Sequence, residues 1–163
     1  EGIEIKYIVL THGHADHISG VNEHLDDFPD AKVVVHTNEK PMLEDPRANQ
    51  SLMFGSAQTV NGDIFVNDGD ELEVGNLKLK FIFTPGHTPG GMCIYVESED
   101  VLFSGDTLFR QSIGRTDFPG GSFRDLADAV HTKLFILPDE TVVLPGHMGQ
   151  TSIGFEKGNN PFV

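Results

Sequence analysis

The sequence predicts a mixed α/β domain, and three features carry that prediction. Short β-branched or aromatic runs recur at 4–10, 31–36, 77–83, 92–97, 101–104 and 141–145, each of strand length. Two stretches, 18–28 and 122–134, instead place apolar residues at spacings of three and four, the pattern of amphipathic helices. No internal repeat, low-complexity tract or linker interrupts the chain. Its 163 residues, 38% of them hydrophobic, are therefore read as one domain, 1–163, with its own core.

In chain order, Glu4-Ile-Lys-Tyr-Ile-Val-Leu10 reads as a buried strand, followed at once by Thr11-His12-Gly13-His14-Ala15-Asp16-His17. In extended backbone, residues i and i+2 point the same way, so His12 and His14 can reach one ion together. Ile18, Val21, Leu25 and Phe28 mark a helix that Pro29 closes, with Asp16 and His17 at its start, where the helix dipole favours a carboxylate. A second strand spans 31–36. The segment 38–63 is mixed: a short helix near 39–45 ends before Pro46, and a lid or a rim both remain open for the rest.

From Asp68 the pattern is β. Leu77, Leu79, Phe81 and Phe83 alternate with Lys78 and Lys80, as in a half-solvated strand. Thr84 to Gly91 is a loop with two prolines and three glycines, and Gly105-Asp106 ends the strand at 101–104. After the Gly114 to Gly121 loop, Ser122 is an N-cap with Asp125 three residues on. A last short strand, 141–145, leads into Gly146-His147.

The balance of 11 basic against 25 acidic residues gives a net charge of −14, a field that repels nucleic-acid backbones and anionic lipid surfaces. No apolar run is long enough to span a bilayer and no secretory leader is visible. The lone Cys93 excludes an internal disulfide and fits a reducing, cytoplasmic setting; inside Met92 to Val96 it reads as a small buried strand residue. Asn49-Gln50-Ser51 matches a glycosylation sequon, a tripeptide common by chance.

Four groups share one grammar of apolar strand, glycine-containing break, and then histidine or aspartate. They are His12 to His17, His87, Asp106 and His147. If the strand ends align, these side chains gather at one sheet edge. Imidazole and carboxylate suit zinc, iron and manganese, so the expected cofactor is a pair of divalent ions, zinc first, with iron or manganese as alternatives. His24, His36 and His131 lack such a setting and are read as ordinary histidines.

The series His-x-His-x-Asp-His at 12–17, Thr-Pro-Gly-His-Thr-Pro-Gly at 84–90, Ser-Gly-Asp-Thr-Leu-Phe at 104–109 and Leu-Pro-Gly-His at 144–147 resembles the metallo-β-lactamase superfamily. The 103–109, 114–122 and 151–162 stretches further resemble its single-domain, glyoxalase II-like hydrolases of bacteria. The resemblance implies a four-layered αββα sandwich, here short of part of its N-terminal sheet. It also implies one ion held by His12, His14 and His87, a second by Asp16, His17 and His147, and Asp106 between them; Asp16 and Asp106 are thus the catalytic carboxylates.

Two such ions lower the pKa of a water held between them, which would attack a thioester such as S-lactoylglutathione or a related acyl-thiol. No Gly-x-Ser-x-Gly nucleophile elbow competes with that reading. Arg115 stands where relatives often carry a basic residue, and its guanidinium fork fits a substrate carboxylate; an ordinary loop ion pair is the alternative. The tyrosines expected to hold glutathione have no match, since Asp117 and Met148 stand in those neighbourhoods. Two other readings stay open. One is a persulfide dioxygenase with one iron on His12, His87 and Asp106, which Gly114 to Phe118 also resembles; the other is a non-catalytic, metal-stabilised fragment.

Overall fold

Alternation along the central strands decides how the layers stack. The computed structural model describes residues 4–163. Its first sheet is parallel, in the order β1 (Tyr7–Val9), β2 (Lys32–His36), β3 (Ile64–Val66). The second contains β4 (Glu71–Val74), β5 (Leu77–Phe83), β6 (Met92–Val96), β7 (Val101–Gly105), β10 (Val142–Pro145) and β11 (Thr151–Ser152). It runs antiparallel from β4 to β7, then parallel to β10 and antiparallel to β11. A two-stranded ribbon, β8 (Leu108–Phe109) with β9 (Ser112–Ile113), stands apart.

On β2, Val34 turns toward the second sheet and joins Val66, Phe81, Met92 and Ile94 in one apolar cluster. Its neighbours Val33 and Val35 turn the other way, onto Ile18, Val21 and Leu43. Those three residues belong to α1 (Ala15–Ile18), α2 (Val21–Asp27) and α3 (Lys40–Glu44). In the second sheet Ile82, Cys93, Tyr95 and Leu102 face away from the first, toward Val130, Leu134 and Ile153. Val130 and Leu134 lie on the π turn Val130–Leu134 that continues α4 (Phe123–Ala129), and Ile153 opens α5 (Ile153–Asn159). The sequence of layers is thus helix, sheet, sheet, helix, the αββα arrangement expected.

The local signals act as anticipated at several points. Ser122 caps α4 by accepting from the Asp125 amide at 3.3 Å. Cys93 is fully buried. Asn49 is buried too, and its amide donates to the Gln58 carbonyl at 2.8 Å, so its side chain is committed inside the fold. The expected 18–28 helix is instead two pieces, broken at Ser19-Gly20, because glycine is a poor interior helix residue. The strand expected over 4–10 pairs regularly only at 7–9, although Lys6 and Leu10 still bond to Lys32 and Val34. Ile82 is buried, so the end of β5 is covered on both faces rather than half-solvated as its lysines imply.

Candidate metal centre

The sheet topology gathers the four groups at one edge. β5, β7 and β10 all run in the same direction, so the residues after their ends, His87, Asp106 and His147, emerge on one side. The loop after β1 joins them across the sandwich, since the Met92 amide at the start of β6 donates to the Thr11 carbonyl at 2.9 Å. His12, His14, Asp16 and His17 lie in or just after that loop.

The donors fall into overlapping groups: His12, His14 and His87; His12, His17 and Asp106; Asp16, His17 and His147. Within each, the potential ligand atoms lie within 4.8 Å of one another. His14 Nδ1 is 2.9 Å from His87 Nε2. Asp106 divides its carboxylate: Oδ1 lies 3.4 Å from His17 Nε2, while Oδ2 lies 3.5 Å from both His87 Nε2 and His147 Nε2. His147 Nε2 is also 3.1 Å from Asp16 Oδ2. Tetrahedral bonds of about 2.0–2.2 Å set donors about 3.3–3.6 Å apart; the three Asp106 separations fall in that range, and the His14–His87 and Asp16–His147 ones are a few tenths of an ångström shorter.

Two further observations test that fit. His12 Nε2 and Asp106 Oδ1 are buried with no hydrogen-bond partner, although an orphaned buried polar atom costs about 1–3 kcal/mol. A cation removes that penalty for both, and the donor set suits it. Second, burial, reinforced by neighbouring imidazoles, depresses the His12 pKa far below its usual value and holds His14 at about 4. Burial lowers His87 as well, against its bond to the Arg115 carbonyl. These rings are neutral at pH 7, the form that can bind a metal. His17 differs: burial opposes its charge, but the Asp106 carboxylate raises its pKa, and the same contact holds Asp106 low despite burial.

Second contacts set the ring orientations. His87 Nδ1 lies 2.8 Å from the Arg115 carbonyl, which leaves Nε2 aimed into the cluster, and Thr11 Oγ1 lies 3.2 Å from His12 Nδ1. Glycine is required where the backbone closes on these groups. A Cβ at Gly146 would sit 2.4 Å from Asp106 Oδ1 and 2.7 Å from His17 Cε1.

Sequence reasoning passed over two residues here. Glu39, fully buried, accepts from the Gly13 and Gly90 amides, both at 2.7 Å, and from Thr88 Oγ1 at 3.1 Å. Gln50 Nε2 lies 3.2 Å from His14 Nε2. Both sit in the 38–63 segment, which forms part of the rim.

A cleft of about 440 Å³ opens over the cluster, walled by Phe54, Phe109, Ile113, Phe118 and Met148 beside His14, His87 and His147. Arg115 also lines it, and is engaged: its guanidinium donates twice to Asp117, both at 2.7 Å, and stacks on Phe118 at 3.8 Å. His24, His36 and His131 lie outside the donor groups. His36 is buried, accepts from the Asn38 amide and stacks on Phe83 at 4.2 Å; His131 meets the Phe135 ring edge-on.

The profile of the Metallo-beta-lactamase superfamily matches residues 1–147. The chain belongs to that superfamily. Among its relatives, a probable metallo-hydrolase of Bacillus subtilis, YqgX, is 39% identical over all of this chain and 78% of its own length. The hydroxyacylglutathione hydrolase GloC of Haemophilus influenzae is 34% identical over 99% of this chain and 77% of its own. Of solved superfamily structures, BLEG-1, described as a B3 metallo-beta-lactamase, superposes with a TM-score of 0.91 at 40% identity, covering 98% of this chain and 78% of that one. TTHA1623 in a di-iron-bound form gives 0.83 at 31% identity, over 96% and 77%. Among the described residues no helix is long and apolar enough to cross a membrane.

Proposed function

We propose that this chain is a binuclear metal-dependent hydrolase that cleaves a thioester, S-lactoylglutathione or a related acyl-thiol. The observation that carries the proposal is the convergence of seven imidazole and carboxylate side chains, with His12 Nε2 and Asp106 Oδ1 buried without a hydrogen-bond partner, beneath an open cleft. His12, His14 and His87 would hold one ion, Asp16, His17 and His147 the other, and the divided carboxylate of Asp106 faces both groups. When bound, the ions supply Lewis acidity, activating water at neutral pH and polarising the substrate carbonyl.

The chain's own residues do the rest. The neutral imidazoles of His12, His14 and His87 each have one ring nitrogen that can turn a lone pair to an ion. Phe54, Phe118 and Met148 supply apolar lining for the acyl-thiol, and Arg115, which also lines the cleft, would meet a substrate carboxylate on release from Asp117. The likeness to GloC supports a thioester, and the net charge of −14 supports a small-molecule substrate over nucleic acid or a membrane surface. Zinc leads as the ion; the di-iron form of TTHA1623 makes iron the competitor.

A second reading is β-lactam hydrolysis, favoured by the likeness to BLEG-1. Both are tested by initial rates on an acyl-thiol and a β-lactam with wild type and Asp106→Ala. Thioester cleavage that disappears in the folded variant supports the proposal. Cleavage unchanged by Asp106→Ala refutes the two-ion mechanism, and turnover of the β-lactam alone selects the second reading.

A further inference from the structure

We infer that Glu39 is a positioning residue that sets the affinity of the His12, His14 and His87 group for its ion; the inference rests on the two-ion reading above. The two loops that carry these histidines come from opposite sheets. Glu39 joins them with one oxygen each: Oε1 accepts from the Gly13 amide between His12 and His14, and Oε2 accepts from Gly90 and from Thr88, the residue after His87. The His87 loop is shaped around it. A Cβ at Gly90 would lie 2.5 Å from Oε2 and 2.3 Å from the Glu39 amide nitrogen, whereas one at Gly13 would first meet Leu43 and Met42, at 3.1 and 3.2 Å.

The chemistry of the side chain is specific to this task. Three donors converge on it, and only an ionised carboxylate accepts at both oxygens without presenting a hydrogen of its own. Among the described residues no lysine, arginine or histidine is paired with it. An amide in its place would turn N–H groups toward one loop's N–H and push that loop away. His14 and His87, now 2.9 Å apart at their ring nitrogens, would separate, while the hydrogen bonds of Glu39 go to Gly13, Thr88 and Gly90 and not to Asp16, His17 or His147.

The test is Glu39→Gln, read by metal retained per chain during dialysis against chelators of graded strength, with zinc as the probe. Changes in residues that support metal ligands typically cost 10–100-fold in affinity, so one of two ions should be lost at roughly that much weaker chelation. The control is Glu156→Gln. Glu156 is equally buried and accepts from the Gln111 amide and Asn160 Nδ2, both at 2.9 Å, and from Thr151 Oγ1, four residues past His147, but it bonds to neither the His12–His14 loop nor the His87 loop, so its variant should lose stability and keep the ion of that group. Thr88→Val, which removes one of the three donors, should give a smaller loss and serves if Glu39→Gln does not fold.

Wild-type retention of both ions by folded Glu39→Gln, or by Thr88→Val where that variant stands in, overturns the inference. Parallel loss in Glu39→Gln and Glu156→Gln also overturns it, as general destabilisation. A wild type that never holds two ions instead refutes the two-ion reading beneath it.

Discussion

Gly146→Ala places one methyl group against the candidate metal centre, and its effect can be worked from two distances. The new Cβ would stand 2.4 Å from Asp106 Oδ1 and 2.7 Å from His17 Cε1. Ordinary carbon–oxygen approaches are about 3.3 Å or more and carbon–carbon contacts about 3.5–4.0 Å, so each group must yield by roughly 1 Å. Functional constellations tolerate about 0.5 Å, and a misplacement of about 1 Å costs on the order of 100-fold in rate. The overpacking itself lowers stability by about 1–3 kcal/mol. Gly149→Ala is the matched control, three residues on, because nothing lies within 4 Å of its added Cβ. The assay is kcat/KM on an acyl-thiol beside metal content and thermal midpoint for both variants. Gly146→Ala with wild-type turnover and a full complement of metal would refute the account of how His17 and Asp106 are held.

Other consequences follow from burial and charge. Burial raises the Cys93 thiol pKa to about 11, against weaker opposing bonds, so the native thiol should resist alkylation at pH 8 and react only on unfolding. The sign for stability follows: the unfolded thiol ionises above its ordinary value while the folded one stays neutral. Stability attributable to Cys93, roughly 2–3 kcal/mol, should therefore fall as pH rises from about 9 to 11, and Cys93→Ala should lose that component of the decline in denaturant titrations across this range. Phe81→Ala, between the two sheets and fully buried, should cost about 3–5 kcal/mol by chemical denaturation. Asp117→Asn frees the Arg115 fork, and should lower KM for an acyl-thiol bearing carboxylates more than for a neutral one; equal shifts would remove Arg115 from substrate recognition.

How far the sequence carried the structure follows from where each signal resides. His12 to His17, His87, Asp106 and His147 each sit directly after an apolar strand, so chemistry and local grammar coincide; the common direction of β5, β7 and β10 gathers the last three, and packing of the β1 loop across the sandwich adds the first four. Glu39 and Gln50 carry no such mark. Glu39 acts on Gly13 and Gly90, 26 and 51 positions away, and an isolated glutamate beside a short helix looks like any solvated one. β3, β8, β9 and β11 are two or three residues long, below any readable period. α5 hid behind Gly154 and Gly158, although Ser152, which caps it by accepting from the Phe155 amide at 3.2 Å, was a usable signal. In β5, Lys78 and Lys80 announced a solvated face, but the π turn that continues α4 covers the far end, a tertiary fact that alternation does not contain.

The central claim is that seven side chains bind two ions. Elemental analysis of protein purified without added metal, before and after reconstitution, tests it most directly. The account predicts about two zinc, iron or manganese ions per chain, falling with Asp106→Ala. A single iron that resists further loading, or no metal even after reconstitution, would contradict it.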